Sequence, residues 1–126
     1  MFITQRIDMK TIFYLPNCGT CKRILSEIKP GKDAVLRDIK ESPISESELD
    51  EMVKRAGSHE ALFSKVAMKY RSMGLDKMQL TEKDYRKYIL QEYTFLKRPT
   101  VMIDNQIFVG SAKSTIEKLK LAFAKG

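Results

Sequence analysis

The chain has 126 residues, 43% of them hydrophobic and 31% charged, the make-up of one globular domain with its own core, which excludes a disordered or low-complexity chain. No apolar run approaches the roughly 20 residues needed to cross a bilayer, and residues 1–8 lack the apolar stretch of an export signal. The formal charge of +7 is concentrated between residues 54 and 98, which hold eleven Lys or Arg against five Asp or Glu.

Residues 11–15, Thr-Ile-Phe-Tyr-Leu, are a short apolar and β-branched run bounded by Pro16-Asn17, the pattern of a buried strand ending in a loop. Residues 21–29 carry Ile24, Leu25 and Ile28 at helical spacing, and Pro30-Gly31 stops them. Residues 34–38 predict a second strand, completing a compact βαβ unit whose crossover the handedness rule makes right-handed. Ser45-x-x-Glu48 is a capping box ahead of Leu49, Met52, Val53 and Ala56, and Gly57-Ser58 closes that helix. Ala61, Leu62, Val66 and Tyr70 predict a further helix ending near Gly74, and Thr81-x-x-Asp84 opens another with Tyr85, Tyr88 and Ile89 on one face. Residues 100–103 and 107–109 read as hairpin strands around Asp104-Asn105. Ser111 is the expected cap of a last helix with Ile116, Leu119 and Phe123 on its apolar face and Lys118, Lys120 and Lys125 toward its end.

The order is therefore β-α-β, a helical insert, then β-β-α, an α/β chain. It predicts a single domain over residues 10–126, with residues 1–9 an N-terminal extension that fits no element and Met9 an alternative start. The basic middle could attract an anion, a nucleic acid or an acidic protein. A solvated, lysine-rich helical surface is the simpler reading, and without a nucleic-acid-binding spacing no direct nucleic-acid contact is expected. With no coiled-coil seam, export signal or apolar span, the chain is expected to be a cytoplasmic monomer away from membranes.

In a reducing compartment two cysteines are not a disulfide framework. Here they stand in Pro16-Asn17-Cys18-Gly19-Thr20-Cys21-Lys22-Arg23, between a strand and a helix. Unpaired N–H groups and the positive end of the helix dipole favour a thiolate there, and Lys22 and Arg23 add positive charge. Cys18, on the loop side, is the expected attacking thiol; Cys21, inside the first turn, is its candidate resolving partner across a two-residue gap. Two inert core cysteines are the competing reading, but the loop should be accessible. Zinc would need two further ligands, and the sole histidine, His59, is expected to face solvent, so no metal is expected. Arg98-Pro99-Thr100 precedes a strand. A proline entering a strand is confined to an edge, a first position or a cis bond. Arg98 is then a candidate anion clamp, because its fork matches an oxyanion, or else a surface arginine before a routine turn.

Taken together, these residues resemble the arsenate reductase and Spx family, a branch of the thioredoxin-like fold with a helical insert, from about Lys10 to Ala124. Asn17-Cys-Gly-Thr20 resembles the catalytic loop of the glutaredoxin-linked arsenate reductases, and the Cys-x-x-Cys spacing resembles Spx, whose pair is a redox switch. Phe95-Leu-Lys-Arg-Pro99, Val101-Met-Ile-Asp104 and Val109-Gly110 resemble the Arg-Pro strand and hairpin of both. The resemblance implies a mixed four-stranded sheet. It also implies Cys18 as active thiol, Arg98 as oxyanion-facing arginine and Pro99 as a cis residue. Asn17, Gly19, Thr20, Lys22 and Pro99 then become substrate-binding candidates. It implies no bound cofactor, with glutathione or glutaredoxin as electron donor to a small oxyanion, or, on the Spx side, a redox-sensing regulator that binds the RNA polymerase alpha subunit. The chain departs from the reductases where they place two further arginines: the insert reads Ser64-Lys65, and the segment after the hairpin reads Val109-Gly110-Ser111. Lys22 and Tyr14 replace the arginine and histidine four residues either side of the active cysteine. Loss of two clamps, each on the order of a few kcal/mol, disfavours arsenate itself as substrate. Lys65, Lys69 and Arg71 are the candidate substitutes, though a lysine is no bidentate fork.

Overall fold

A computed structural model describes residues 10–32 and 34–124. The expected extension over residues 1–9 and Lys125 lie outside the described residues. The elements run β1 (Lys10–Tyr14), α1 (Gly19–Ile28), β2 (Ala34–Asp38), α2 (Glu46–Ala56), α3 (Met68–Ser72), α4 (Glu82–Gln91), β3 (Thr100–Ile103), β4 (Gln106–Val109) and α5 (Lys113–Ala124). Short 3-10 turns lie at Glu60–Leu62, Leu75–Lys77 and Tyr93–Phe95. Chain contacts divide these elements into two units, one from the segments on either side of the insert and the other from Pro43–Lys97.

The first unit holds a four-stranded mixed sheet in the order β2-β1-β3-β4. β1 runs parallel to β2 and antiparallel to β3, and β3 pairs antiparallel with β4. Strand side chains alternate between faces, so Ile12, Val101 and Ile103 turn to one side of the sheet. There they form a buried cluster with Ile24 and Ile28 of α1 and Ile116, Leu119 and Phe123 of α5. Those helical residues recur at the spacing of one helix face, which fixes how α1 presents its first turn at the end of β1. Lys29, at φ 47°, ends α1 with its N–H on Leu25 O, and Pro30 follows, a residue that disfavours α backbone before it. Asp104, at φ 55°, turns the β3–β4 hairpin.

In the second unit α2 and α4 begin with reciprocal caps. Ser45 Oγ accepts the Glu48 N–H at 3.1 Å while Glu48 Oε1 accepts the Ser45 N–H at 2.8 Å. Thr81 and Asp84 repeat the arrangement. Gly57, at φ 101°, ends α2 in the left-handed region that glycine adopts without a Cβ penalty. The aromatic centre is Phe63, stacked on Phe95 at 4.9 Å, edge-to-face with Tyr70 at 5.8 Å and tilted against Tyr85 at 4.9 Å. Ser45→Ala is expected to cost about 1 kcal/mol, because the Glu48 N–H loses its acceptor; a urea titration reads this as a lower midpoint at unchanged slope.

Three expectations are corrected. The helix expected from Ala61 to Gly74 is instead a 3-10 turn, an extended Phe63–Ser64 and the five-residue α3. Phe63 bridges to Leu96, the Ser64 N–H donates to Phe95 O at 2.7 Å and the Lys97 N–H to Leu62 O at 2.9 Å. This distant pairing takes the backbone groups a helix would have used, and Val66 is left 90% exposed. Ser111 does not cap α5: the first helical bond runs from the Ile116 N–H to Ala112 O, which puts Ala112 at the cap. His59 does not face solvent. Its side chain is 17% exposed, with Nδ1 2.9 Å from Glu82 Oε1, and the same carboxylate accepts the His59 backbone N–H.

Candidate active site

The site forms where β1 hands over to α1. After Tyr14 the chain turns through Leu15, Pro16 and Asn17, and the Cys18 N–H donates to Leu15 O at 3.1 Å. Cys18 is the N-cap of α1, with extended backbone at φ −88° and ψ 117°, and its carbonyl accepts the Lys22 N–H at 3.0 Å. The next N–H groups have no acceptor within the helix. Those of Cys21 and Thr20 face the Cys18 sulfur at electrostatic range without closing a full side-chain cap. Cys18 is half-buried and Cys21 fully buried, and neither is in a disulfide.

Their surroundings drive the two thiols in opposite directions. Burial alone would raise the Cys18 pKa, but the Cys21 N–H, the Cys21 thiol, the Thr20 N–H and the Arg98 guanidinium together outweigh it and hold Cys18 below an ordinary thiol. Burial pushes Cys21 up to about 11, against the opposing N–H of Leu15, and the neighbouring Cys18 adds to the rise. Of the two sulfurs, Cys18 is thus the one that ionises first and Cys21 the one that holds its proton longer.

Arg98 reaches the site through sheet topology. Phe13 pairs with Thr100 across β1 and β3, and continuing that antiparallel register past the strand ends sets Arg98 across from Leu15. The Arg98–Pro99 peptide is cis, Pro99 is buried, and its carbonyl accepts the Gly110 N–H at 2.9 Å. The fold therefore gathers Cys18, Thr20, Cys21 and Arg98. Asn17 and Gly19 are exposed at the open side of the turn, where a Cβ added to Gly19 would meet nothing within 4 Å. Lys22 and Arg23 are exposed, and Arg23 is paired with Glu27 at 3.1 Å; the cation acting on the Cys18 sulfur is Arg98. Tyr14, standing where a histidine was expected, packs against the apolar cluster.

Within the insert, Ser64 is buried, Lys65 pairs with Glu60 at 2.9 Å and Lys69 with Glu92 at 2.8 Å. Both lysines offered as substitute clamps are thus engaged by carboxylates of their own unit. Among the described residues no cluster of His, Cys, Asp or Glu is grouped to hold a metal ion. The residue the sequence did not flag is Leu15, whose peptide group meets both cysteines; its only signal is its place between the last strand residue and Pro16.

A protein built this way is similar to several known ones. The sequence model of the ArsC family matches residues 13–119. An arsenate reductase of Acidiphilium multivorum is 30% identical over 94 residues, which cover 73% of this chain and 67% of the relative. An arsenate reductase from Vibrio cholerae superposes with a TM-score of 0.74 at 18% identity, covering 88% of this chain and 97% of that one. An arsenate reductase (ArsC) related protein from Brucella melitensis does so with a TM-score of 0.69 at 23% identity, covering 87% and 92%. The structural likenesses carry the thioredoxin-like fold alone. The sequence match takes in the Cys18 turn, the insert and the Arg98-Pro99 hairpin together, and by it the chain belongs to the ArsC family.

Proposed function

We propose that this protein is a thiol-dependent oxidoreductase in which the Cys18 thiolate attacks an oxidised substrate and an external thiol, glutathione with glutaredoxin, supplies the electrons. The observation that carries the reading is the half-buried Cys18 sulfur at a helix N-terminus, kept below the ordinary thiol range beside Arg98. With a disulfide R–S–S–R, the Cys18 sulfur forms a bond to one substrate sulfur as the S–S bond breaks and RS⁻ leaves. A glutathione thiolate then attacks the R-side sulfur of the Cys18–S–S–R mixed disulfide, forming G–S–S–R as the S–S bond to Cys18 breaks and Cys18 leaves as thiolate. Arg98 is assigned the role of holding negative charge that develops on the substrate. A single arginine suits a small disulfide or a singly charged group better than arsenate, whose charge exceeds one fork.

The test is a coupled assay of the reduced protein with glutathione, glutaredoxin and either a small disulfide or arsenate. Turnover of the disulfide well above that of arsenate is expected, and Arg98→Ala should lower it by about a hundredfold while Arg98→Lys recovers part of the loss. Absence of turnover on both substrates overturns the enzyme reading. The Spx-like sensor reading, which the Cys-x-x-Cys spacing favours, would then be the one left standing if the reduced protein captures the RNA polymerase alpha subunit.

A further inference from the structure

β2 ends the sheet on one side, with β1 its only neighbour among the described residues. The Ile39 N–H donates to Tyr14 O at 3.1 Å. Backbone groups along a strand alternate between its two edges, so Val35 and Arg37 address β1 while Ala34, Leu36 and Asp38 face away from it. In keeping with this, the Asp38 carbonyl accepts the Ser42 N–H at 2.9 Å. Ala34 and Leu36 turn out N–H and C=O groups that nothing among the described residues meets. Such a row is a template for a further strand, and the usual guards are missing from it. β2 holds no proline, and its register with β1 runs unbroken from Ala34 to Asp38. Arg37 is drawn back onto its own chain, with Nε donating to Ser42 O at 2.9 Å and the guanidinium 5.7 Å over the Phe13 ring. Val35 and Leu36 are 39% and 48% exposed, one on each face of the sheet.

We propose that the outer edge of β2 pairs with the same edge of a second copy of this chain, antiparallel across a two-fold axis, with Val35 opposite Val35. A strand paired with itself across a two-fold axis is antiparallel, and the outward groups meet only where even-numbered residues oppose one another. Centring on Val35 sets Ala34 opposite the second copy's Leu36 and Leu36 opposite its Ala34. These residues then exchange N–H and C=O bonds in both directions, using groups that are free in the single copy. In the same register Lys32 faces Asp38 at either end. Centring on Leu36 instead sets Ala34 against Asp38, whose carbonyl already accepts Ser42, Val35 against Arg37, and Lys32 against Lys40. Opposite charges directly across an antiparallel pair stabilise it, and like charges weaken it. The register centred on Val35 therefore matches both exposed apolar side chains with apolar ones and each end charge with its opposite: the strand is complementary to itself. An edge this short buries less than a standard interface, so the dimer is weak and reversible. It needs no coiled-coil seam, the feature whose absence pointed to a monomer. The inference uses none of the residues assigned to chemistry and stands whether or not the oxidoreductase reading does.

Sedimentation of the full chain tests this directly, and a monomer should pass reversibly into a dimer between about 10 μM and about 1 mM. Leu36→Lys, at a position open to solvent in the single copy, should raise the dissociation constant about tenfold or more. Lys32→Glu makes both end pairs like-charged and should raise it about tenfold, a gap that narrows in about 1 M salt. Cross-linking reads the register. In a Cys18→Ser background, where the remaining thiol is the buried Cys21, Val35→Cys should give a disulfide-linked dimer under mild oxidation. Residues opposed without hydrogen bonds across antiparallel strands lie about 4.5 Å apart at Cα, within reach of an S–S bond. Leu36→Cys, facing Ala34, should give none. A monomer throughout that range, a dimer that Leu36→Lys leaves intact, or cross-linking by Leu36→Cys in place of Val35→Cys overturns the proposal. Should Leu36→Lys fail to fold, Lys32→Glu and the Val35→Cys cross-link still decide.

Discussion

Cys18→Ser is expected to lower turnover by about a thousandfold or more and to leave the melting temperature close to that of the parent. The hydroxyl of serine fits the half-buried N-cap position and can accept the N–H groups that face the Cys18 sulfur, so the start of α1 is not weakened. What disappears is the thiolate. The Cys21 and Thr20 N–H groups and Arg98 lower the cost of a negative sulfur, but an alkoxide lies far outside what they can stabilise. Cys21 cannot take over, being fully buried and holding its proton to about 11. The parent's own pH profile carries the same signature. Because the folded pKa of Cys18 is depressed, its rate should already be past half-maximal where a free thiol is half-ionised, and should fall about tenfold per unit below the folded pKa. Retained activity in Cys18→Ser, or a parent profile that follows an ordinary thiol, would remove the nucleophile from this site.

Much of the fold could be read from local signals because those signals act locally. Ser45-x-x-Glu48 and Gly57 bound α2 through bonds spanning only three or four residues. The strand and hairpin residues around Asp104 need only the alternation of two faces and one left-handed residue. The expected helix through Val66 failed for the converse reason. Leu62, Val66 and Tyr70 stand four apart, as one helical face would have them, yet the bonds of this stretch go to Phe95, Leu96 and Lys97, some thirty residues away. No periodicity encodes that pairing. The misplaced cap at Ser111 is smaller: the cap position of α5 falls one residue later, at Ala112, where no side chain can accept an N–H.

The site divides along the same line. Cysteines at a strand-to-helix handover meet unpaired N–H groups whatever the rest of the molecule does, so the chemistry of Cys18 was visible in eight residues. Arg98 stands eighty positions away in sequence and reaches the sulfur only because β3 lies beside β1. Composition favoured Lys22 and Arg23, which adjoin the cysteines in sequence; Arg23 pairs with Glu27 along the helix instead. The roles of the two thiols also needed the fold. The spacing Cys-x-x-Cys permits a resolving partner, but burial, with the neighbouring Cys18 adding to it, turns Cys21 toward proton holding against the opposing Leu15 N–H.

Phe63→Ala is expected to cost about 3–5 kcal/mol, a large share of the 5–15 kcal/mol that holds a domain of this size together. Phe63 is 1% exposed and its ring meets three others: Phe95 at 4.9 Å and 24° between planes, Tyr85 at 4.9 Å and 57°, and Tyr70 at 5.8 Å and 66°. Truncation removes the buried area, leaves a cavity among stiff rings that cannot close over it, and breaks edge and stacking contacts worth about 0.5–1.5 kcal/mol each beyond area. Its backbone pairs with Leu96, so the void also opens beside the bridge that replaces the expected helix. Val66→Ala, three residues on, sets the contrast. A helical reading of this segment puts Val66 on the same buried face, where the change would cost a core substitution; at 90% exposure it should fall within about 0.5 kcal/mol of the parent. Urea midpoints for the two variants separate these accounts. A large loss at Val66, or a small one at Phe63, would mean that the periodic pattern and not the distant pairing describes the insert.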